Sequence, residues 1–173
     1  GMTAGLLHIW NHTLMKGMMF LAAGNIVHGT GVKDMEKLGG LMKRMPWSAN
    51  TVLIGSVAMA ALPPLNGFVS KWLIYLSLMK CGFSPGNNGG LVALLSVGLL
   101  ALIGGLTVLA FVRMAGIVLL GSPRSNAAQY AHESSPWMVG PIAALLLLCL
   151  AIALVPQLTI GLIHGPLIQL LGN

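Results

Sequence analysis

Four long apolar stretches alternate with short polar segments along the chain. Residues 2–28, 48–80, 91–120 and 137–163 contain few charged side chains, and each exceeds the ~20 residues that a helix needs to cross a bilayer. A helix on the surface of a soluble protein instead keeps a broad polar face. The pattern therefore predicts an all-α integral membrane fold with four transmembrane helices, in one membrane domain covering residues 1–173.

The second apolar stretch is interrupted near its centre by two prolines and a glycine. The predicted helix break comprises Pro63, Pro64, Asn66 and Gly67. Proline lacks a backbone N–H and its ring clashes with the preceding turn, so a continuous helix is unfavourable there. We predict two half-helices joined by an unwound segment at membrane depth, where Asn66 and Ser70 can hold water or cap the freed backbone groups. Such backbone is tolerated in a membrane when it is buried in protein or lines a hydrated cavity.

A polar stripe runs along the first predicted helix. His8, His12 and Lys16 are spaced four residues apart and share one face, which Asn11 borders. Lys71 lies about one turn beyond the helix break. A charge at the bilayer centre costs at least ~2.5–3.5 kcal/mol on insertion scales, so the two lysines require an explanation. Lysine and histidine can both gain and lose protons, and a stripe facing Lys71 predicts a proton path.

Structural roles remain open alternatives for some of these polar residues. His8 lies near the end of its span, where an interfacial position is an ordinary explanation, and His12 can have a structural role. A lysine or arginine near a helix end usually extends its charged group to the membrane surface. We adopt that explanation for Lys80 and Arg113, and it stays open for the two lysines of the predicted path.

Composition supports a membrane protein. Hydrophobic residues make up 56% of the chain and charged residues 7%, and the mean hydropathy is +0.87. A soluble domain carries roughly 25% charged residues. The net charge of +6 comes from dispersed basic residues, without the basic face that nucleic-acid binding needs. These features indicate that the chain lies in a lipid bilayer and does not bind a nucleic acid.

The basic residues are unevenly distributed between the loops. The loops at 30–47 and 121–136 together contain five Lys or Arg residues, whereas the loop at 81–90 contains none. The positive-inside rule therefore predicts a multi-pass protein of the inner (plasma) membrane with the two charged loops in the cytoplasm. The chain starts at Gly1 and enters an apolar helix almost at once, so we expect it to be a fragment of a longer protein. The last residues, 164–173, are predicted to lie at the membrane interface.

Motifs for catalysis and cofactor binding are absent from the sequence. Cys81 and Cys149 lack the spacing of a metal or redox site, and there is no Gly-rich phosphate loop. The three acidic residues all fall in loops, so no pair of carboxylates is predicted within the membrane. We therefore predict no catalytic residue, metal, cofactor or redox centre in this chain.

Three segments resemble the antiporter-like proton-translocating subunits of respiratory complex I, Mrp-type cation/proton antiporters and energy-converting hydrogenases. They are HIWNHTLMKGMMFLAAG at 8–24, LGGLMKRMP at 38–46 and ALPPLNGF at 61–68. Two later segments are more similar to the hydrogenase-4 and formate hydrogenlyase membrane subunits than to complex I. These are LGSPR at 120–124 and AHE at 131–133.

The resemblance implies a specific place for this chain in a larger subunit. Members of the family contain two inverted repeats, each with one broken helix, and this chain would supply the last four helices. Lys16 would be the relay lysine, with His12 and His8 as its partners, and Lys71 would exchange protons with the aqueous side. The implied partners are other membrane-arm subunits and a hydrogenase or quinone-reductase arm that carries the redox centres.

Three functions therefore compete at the level of sequence. The first is a proton-translocating membrane subunit of an energy-converting hydrogenase-type complex, which couples redox chemistry in partner subunits to proton movement. The second is a complex I-type NADH-quinone oxidoreductase subunit or an Mrp-type cation/proton antiporter subunit. The third is a structural membrane segment that holds a larger complex together.

Overall fold

The computed structural model describes residues 1–84, 88–155, 157 and 161, and all the regular secondary structure in these ranges is helical. The long helices are α1 (Met2–Thr30), α2 (Pro46–Met59), α3 (Asn66–Gly82), α4 (Gly90–Leu119) and α6 (Pro136–Leu154), and α5 (Asn126–Gln129) is a single turn. Two short 3₁₀ turns, Met35–Lys37 and Leu41–Lys43, lie between α1 and α2. The fold is thus all-α in the described residues, as predicted.

Local sequence signals account for the helix ends. α1 ends where Gly31 adopts a left-handed conformation (φ 70°) and donates its N–H to Val27 O at 2.8 Å, a common helix C-terminus. α2 and α6 each begin with a proline, Pro46 and Pro136. Proline is favoured at the first helical position because its missing N–H has no helical partner there.

α1 occupies the middle of the bundle. It packs against α2, α3 and α6, while α4 packs on α2 and α3. One buried apolar cluster lies in the half of the bundle that contains the 31–45 connection. Its largest fully buried members are Leu41, Met45, Leu119 and Ile142. A second cluster surrounds the α2–α3 junction and contains Met15, Ala58, Leu65 and Cys149. Met15 of α1 therefore lies next to the point where α2 ends.

Two helices of the described chain, α4 and α6, are long and apolar enough to cross a membrane by length and composition. Each reaches a mean hydropathy of 2.5 over its most apolar stretch. Few residues in these stretches are buried inside this chain, 6% in α4 and 17% in α6. Their apolar surfaces are thus turned outward, as expected for helices that contact lipid or further protein.

One predicted loop contains regular structure, while other predicted boundaries cannot be compared with the structure. The helix α6 is described over Pro136–Leu154, and the predicted end of the fourth span at residue 163 and the predicted interfacial tail at 164–173 lie outside the described residues. The predicted loop at 121–136 contains the short helix α5. Its Ser125 side chain accepts a hydrogen bond from Ala128 N at 3.2 Å, so a local serine cap accounts for this extra turn.

Candidate functional site

Six residues, 60–65, separate α2 from α3, and Pro63 and Pro64 lie within them. The peptide bond between these two prolines is cis, and Ala61 has a φ of 57°. Leu62 N donates to Val57 O at 3.1 Å and Leu65 N donates to Leu62 O at 3.2 Å. These local bonds satisfy part of the backbone that leaves the helical pattern, so the segment is a defined turn rather than an open loop.

Gly67 allows the two helices to approach each other at this junction. A Cβ atom at this position would overlap the carbonyl oxygen of Ala58, near the end of α2. The side chain of Met15 from α1 lies 3.3 Å from the same point. Only glycine fits between these groups without a backbone shift, which explains why this residue follows the proline pair.

His8 of α1 contacts the beginning of α3. Its Nδ1 atom lies 3.0 Å from Ser70 Oγ, in a hydrogen bond that joins residues far apart in sequence. Ser70 is fully buried, and its hydroxyl lies 3.3 Å from the Gly67 carbonyl oxygen, to which it can also donate. Because a hydroxyl can act as donor or acceptor, Ser70 can hydrogen-bond both the His8 ring and the backbone of α3.

The polar stripe on α1 changes its environment along the helix. The rings of His8 and His12 have centroids 5.9 Å apart. Four residues advance about 40° beyond one full turn, so the stripe drifts around the helix. It passes from the partly buried histidines to Lys16, which is exposed on the surface of this chain. The structure therefore shows contacts to the beginning of α3 for His8, while the Lys16 side chain lies on the surface of this chain.

Lys71 lies beside the end of this stripe that contains His8. It is partly buried on α3 directly after Ser70, the residue that contacts His8. The structure thus brings together His8, His12 and Lys71 at the α2–α3 junction. It leaves Lys16 at the outer edge of the group.

Two asparagines add a second connection between α1 and α3. Asn11 is fully buried, and its Nδ2 donates to the backbone oxygen of Asn66 at 3.1 Å. Of the two roles predicted for the Asn66 side chain, holding water or capping freed backbone groups, the described chain shows no capping bond, because Oδ1 and Nδ2 both lack a hydrogen-bond partner. Asn66 is the first residue of α3 and its amide points into the bundle interior instead.

A polar cluster that the sequence did not indicate lies near the start of α2. Glu133, from the segment before α6, accepts hydrogen bonds from Ser48 Oγ at 2.6 Å and from the backbone N–H groups of Trp47 and Ser48 at 2.9 and 3.3 Å. Asn25 Nδ2 of α1 donates to Ser48 Oγ at 3.4 Å, and the backbone oxygen of Asn25 accepts from Ser134 Oγ at 3.2 Å. The carboxylate therefore caps α2 from a segment distant in sequence, and this contact cannot be predicted from a local sequence pattern.

No group of three or more His, Cys, Asp or Glu side chains that could hold a metal lies within the described residues. Cys81 is exposed and Cys149 is buried, and neither forms a disulfide. The arrangement at the α2–α3 junction consists of imidazole, hydroxyl, amide and ammonium groups. These groups can donate and accept hydrogen bonds, and the imidazole and amine groups are also titratable.

Comparison with known proteins relates this chain to membrane subunits of ion-translocating and redox complexes. Residues 1–86 match the family described as NADH:quinone oxidoreductase/Mrp antiporter, TM. The chain is 43% identical over 154 residues to hydrogenase-4 component B of Escherichia coli (strain K12), covering 89% of this chain and 23% of that protein. It is 42% identical over 154 residues to formate hydrogenlyase subunit 3 of the same strain, covering 86% of this chain and 24% of that protein.

Antiporter subunits are similar over the same region. The chain is 35% identical over 177 residues to Na⁺/H⁺ antiporter subunit A1 of Staphylococcus saprophyticus, covering 99% of this chain and 21% of that protein. The Mrp complex from Dietzia sp. DQ12-45-1b has the same fold, with a TM-score of 0.76 at 21% identity, covering 91% of this chain and 35% of that chain. The chain thus spans less than a quarter of the length of these three relatives.

Proposed function

We propose that this chain, which belongs to the NADH:quinone oxidoreductase/Mrp antiporter transmembrane family, forms part of a proton-translocating membrane subunit of a hydrogenase-4-like or formate hydrogenlyase-like complex. Over most of the length of this chain, the hydrogenase-4 and formate hydrogenlyase relatives are more identical to it than Na⁺/H⁺ antiporter subunit A1 of Staphylococcus saprophyticus is. Redox chemistry would occur in partner subunits of the redox arm. The chain would contribute a proton path in the membrane arm.

The observation that carries this proposal is the hydrogen bond between His8 Nδ1 and Ser70 Oγ at 3.0 Å. It joins the polar stripe of α1 to the first turn of α3, immediately before Lys71. Hydrogen bonds from Ser and His side chains also join membrane helices in purely structural contacts, so the support for a proton role comes from the titratable groups next to this bond. Here the contact is made by a titratable ring, a hydroxyl and a neighbouring lysine, which are groups that relay protons.

The proposed path runs from Lys16 through His12 and His8 to Lys71. The two histidines provide groups that change protonation near neutral pH, and the lysines provide the charged ends. Lys16 is exposed on this chain, so its partner would be supplied by the remainder of the subunit. Lys71 would exchange protons with the aqueous side.

We also propose that the helices form four membrane crossings, with α2 and α3 together making one interrupted crossing. The loops at 30–47 and 121–136 would then share the cytoplasmic side of the inner membrane, as their basic residues favour. The two loops meet in the structure, where Gly40 N donates to Leu120 O at 3.0 Å and Ser125 Oγ donates to Lys37 O at 2.8 Å. This contact supports placing them on one side of the bundle.

The test uses the full-length subunit in its assembled complex, reconstituted in vesicles. Lys71→Ala and Lys16→Ala should each abolish proton transport while the complex still assembles. Lys80→Ala is the matched control, because Lys80 is on the same helix as Lys71 but is exposed at its end. Proton transport at the wild-type rate in Lys71→Ala would show that the assigned path is wrong.

The same preparation separates the other two functions. Sodium-dependent proton movement would assign the chain to an Mrp-type antiporter, and quinone-linked activity of the purified complex would assign it to a complex I-type enzyme. Normal transport and coupling after replacement of both lysines would indicate a structural segment.

A further inference from the structure

Three polar atoms at the α2–α3 junction are buried without a hydrogen-bond partner in the described chain. They are Oδ1 of Asn11 and both Oδ1 and Nδ2 of Asn66. Both side chains have 0% of their surface exposed, so this chain itself encloses them. Further protein added around the chain therefore cannot reach these atoms without displacing the residues that cover them.

The side chains around these atoms offer little hydrogen bonding. The adjacent core cluster consists of Met15, Ala58, Leu65 and Cys149, with further aliphatic side chains packed against it. The thiol of Cys149 interacts with the Asn66 side chain, but a thiol is a weak donor and acceptor. It leaves both amide atoms of Asn66 without a hydrogen bond of acceptable geometry.

An unsatisfied buried amide is strongly disfavoured, and protein interiors usually resolve this situation with an internal water. A cation would satisfy the two oxygens but not the N–H group of Asn66. It would also sit at the N-terminus of α3, where the helix dipole is positive. Water can accept from the amide nitrogen and donate to an amide oxygen, so it matches the mixed set of groups.

We propose that Asn11 and Asn66 form a hydration site that holds an internal water at the α2–α3 junction. The site adjoins the proposed proton path, because the backbone oxygen of Asn66 accepts from Asn11 Nδ2 at 3.1 Å and lies 3.4 Å from Ser70 Oγ. Ser70 in turn contacts His8. The role of this water in proton movement rests on the proposed function, whereas its presence does not.

A cryo-EM map of the full-length complex that resolves ordered waters tests the site directly. The expected result is a solvent peak at hydrogen-bond distance, about 2.7–3.2 Å, from Asn11 Oδ1 and from an amide atom of Asn66. A map in which the two amides are hydrogen-bonded directly to each other, with no solvent peak between them, would overturn the proposal.

Variants identify which residues hold the water. Asn11→Leu is close in size and should remove the solvent peak, whereas Asn50→Leu should retain it. Asn50 is the matched control, because its amide is exposed and already donates to Pro46 O at 2.8 Å. A peak that persists unchanged in Asn11→Leu would exclude Asn11 as a ligand of the water.

Proton transport by the same variants separates this inference from the proposed function. If the water serves the path, Asn11→Leu should slow transport about tenfold, which corresponds to a barrier higher by roughly 1.4 kcal/mol. If the peak is present and Lys71→Ala transports normally, the proposed function fails and the hydration site stands. If the peak is absent and Lys71→Ala is inactive, the hydration site fails and the proposed function stands.

Discussion

Replacing Glu133 by glutamine should loosen the first turn of α2. The carboxylate accepts three hydrogen bonds there, the shortest from Ser48 Oγ at 2.6 Å. Glutamine has nearly the same shape and keeps one oxygen acceptor, so the substitution removes the charge and one acceptor without creating a cavity. It therefore isolates the interaction between a carboxylate and a helix N-terminus from the effect of packing.

The expected magnitude follows from the number and kind of bonds lost. Hydrogen bonds to a charged group contribute roughly 1.5–3 kcal/mol, and loss of a helix N-cap costs about 0.5–2 kcal/mol. Glu133 is only partly buried and Trp47 N is at the surface, so solvent reduces these values. We expect a local loss of about 1–2 kcal/mol, which corresponds to a change of roughly 5- to 30-fold in the opening equilibrium.

Hydrogen–deuterium exchange of the full-length complex measures this opening at the amides concerned. Peptides that cover residues 46–52 should exchange faster in Glu133→Gln by that factor, because local opening controls the exchange of protected amides. Glu36→Gln is the control, since the Glu36 side chain is exposed and lies outside α2. Unchanged exchange of Trp47 and Ser48 in Glu133→Gln would refute the capping role.

Two further variants test the junction between α2 and α3. Gly67→Ala should strongly reduce the amount of assembled complex, because its Cβ would overlap a backbone carbonyl of α2. Gly105→Ala on α4 is the control, because its Cβ would have no atom within 4 Å. Equal assembly of the two variants would contradict the close approach of α2 and α3. Ser70→Ala should slow proton transport about tenfold by removing the hydroxyl that contacts His8. Ser77→Ala is its control in the same transport assay, because Ser77 Oγ bonds only to its own helix at 2.8 Å in the described chain, and equal rates in the two serine variants would contradict the relay.

The α2–α3 junction shows which structural features can be predicted from local sequence alone. Pro63 and Pro64 predict an interruption because the chemistry of proline acts on its own backbone and the preceding turn. The structure ends α2 at Met59 and begins α3 at Asn66, on either side of this pair. The position of this interruption depends on neighbours in the chain, so it can be predicted from sequence, whereas the assignment of α2 and α3 to one broken membrane crossing stays a prediction.

The candidate site was only partly predictable. Periodicity placed His8, His12 and Lys16 on one side of α1 because the helix repeat is a local property. The same periodicity could not state which of them contacts α3, since that depends on how α1 rotates against its neighbours. In the structure His8 meets Ser70, while Lys16 is exposed on this chain.

Sequence by itself determined the all-α character, the positions of the apolar stretches, the proline interruption and the polar stripe. Each follows from backbone sterics or from the hydropathy and spacing of nearby residues. Only the tertiary structure decided that Glu133 caps α2 and that Asn11 and Asn66 are enclosed together. These contacts join residues between 55 and 85 positions apart, and they arise from packing of the whole bundle, which a local pattern does not encode.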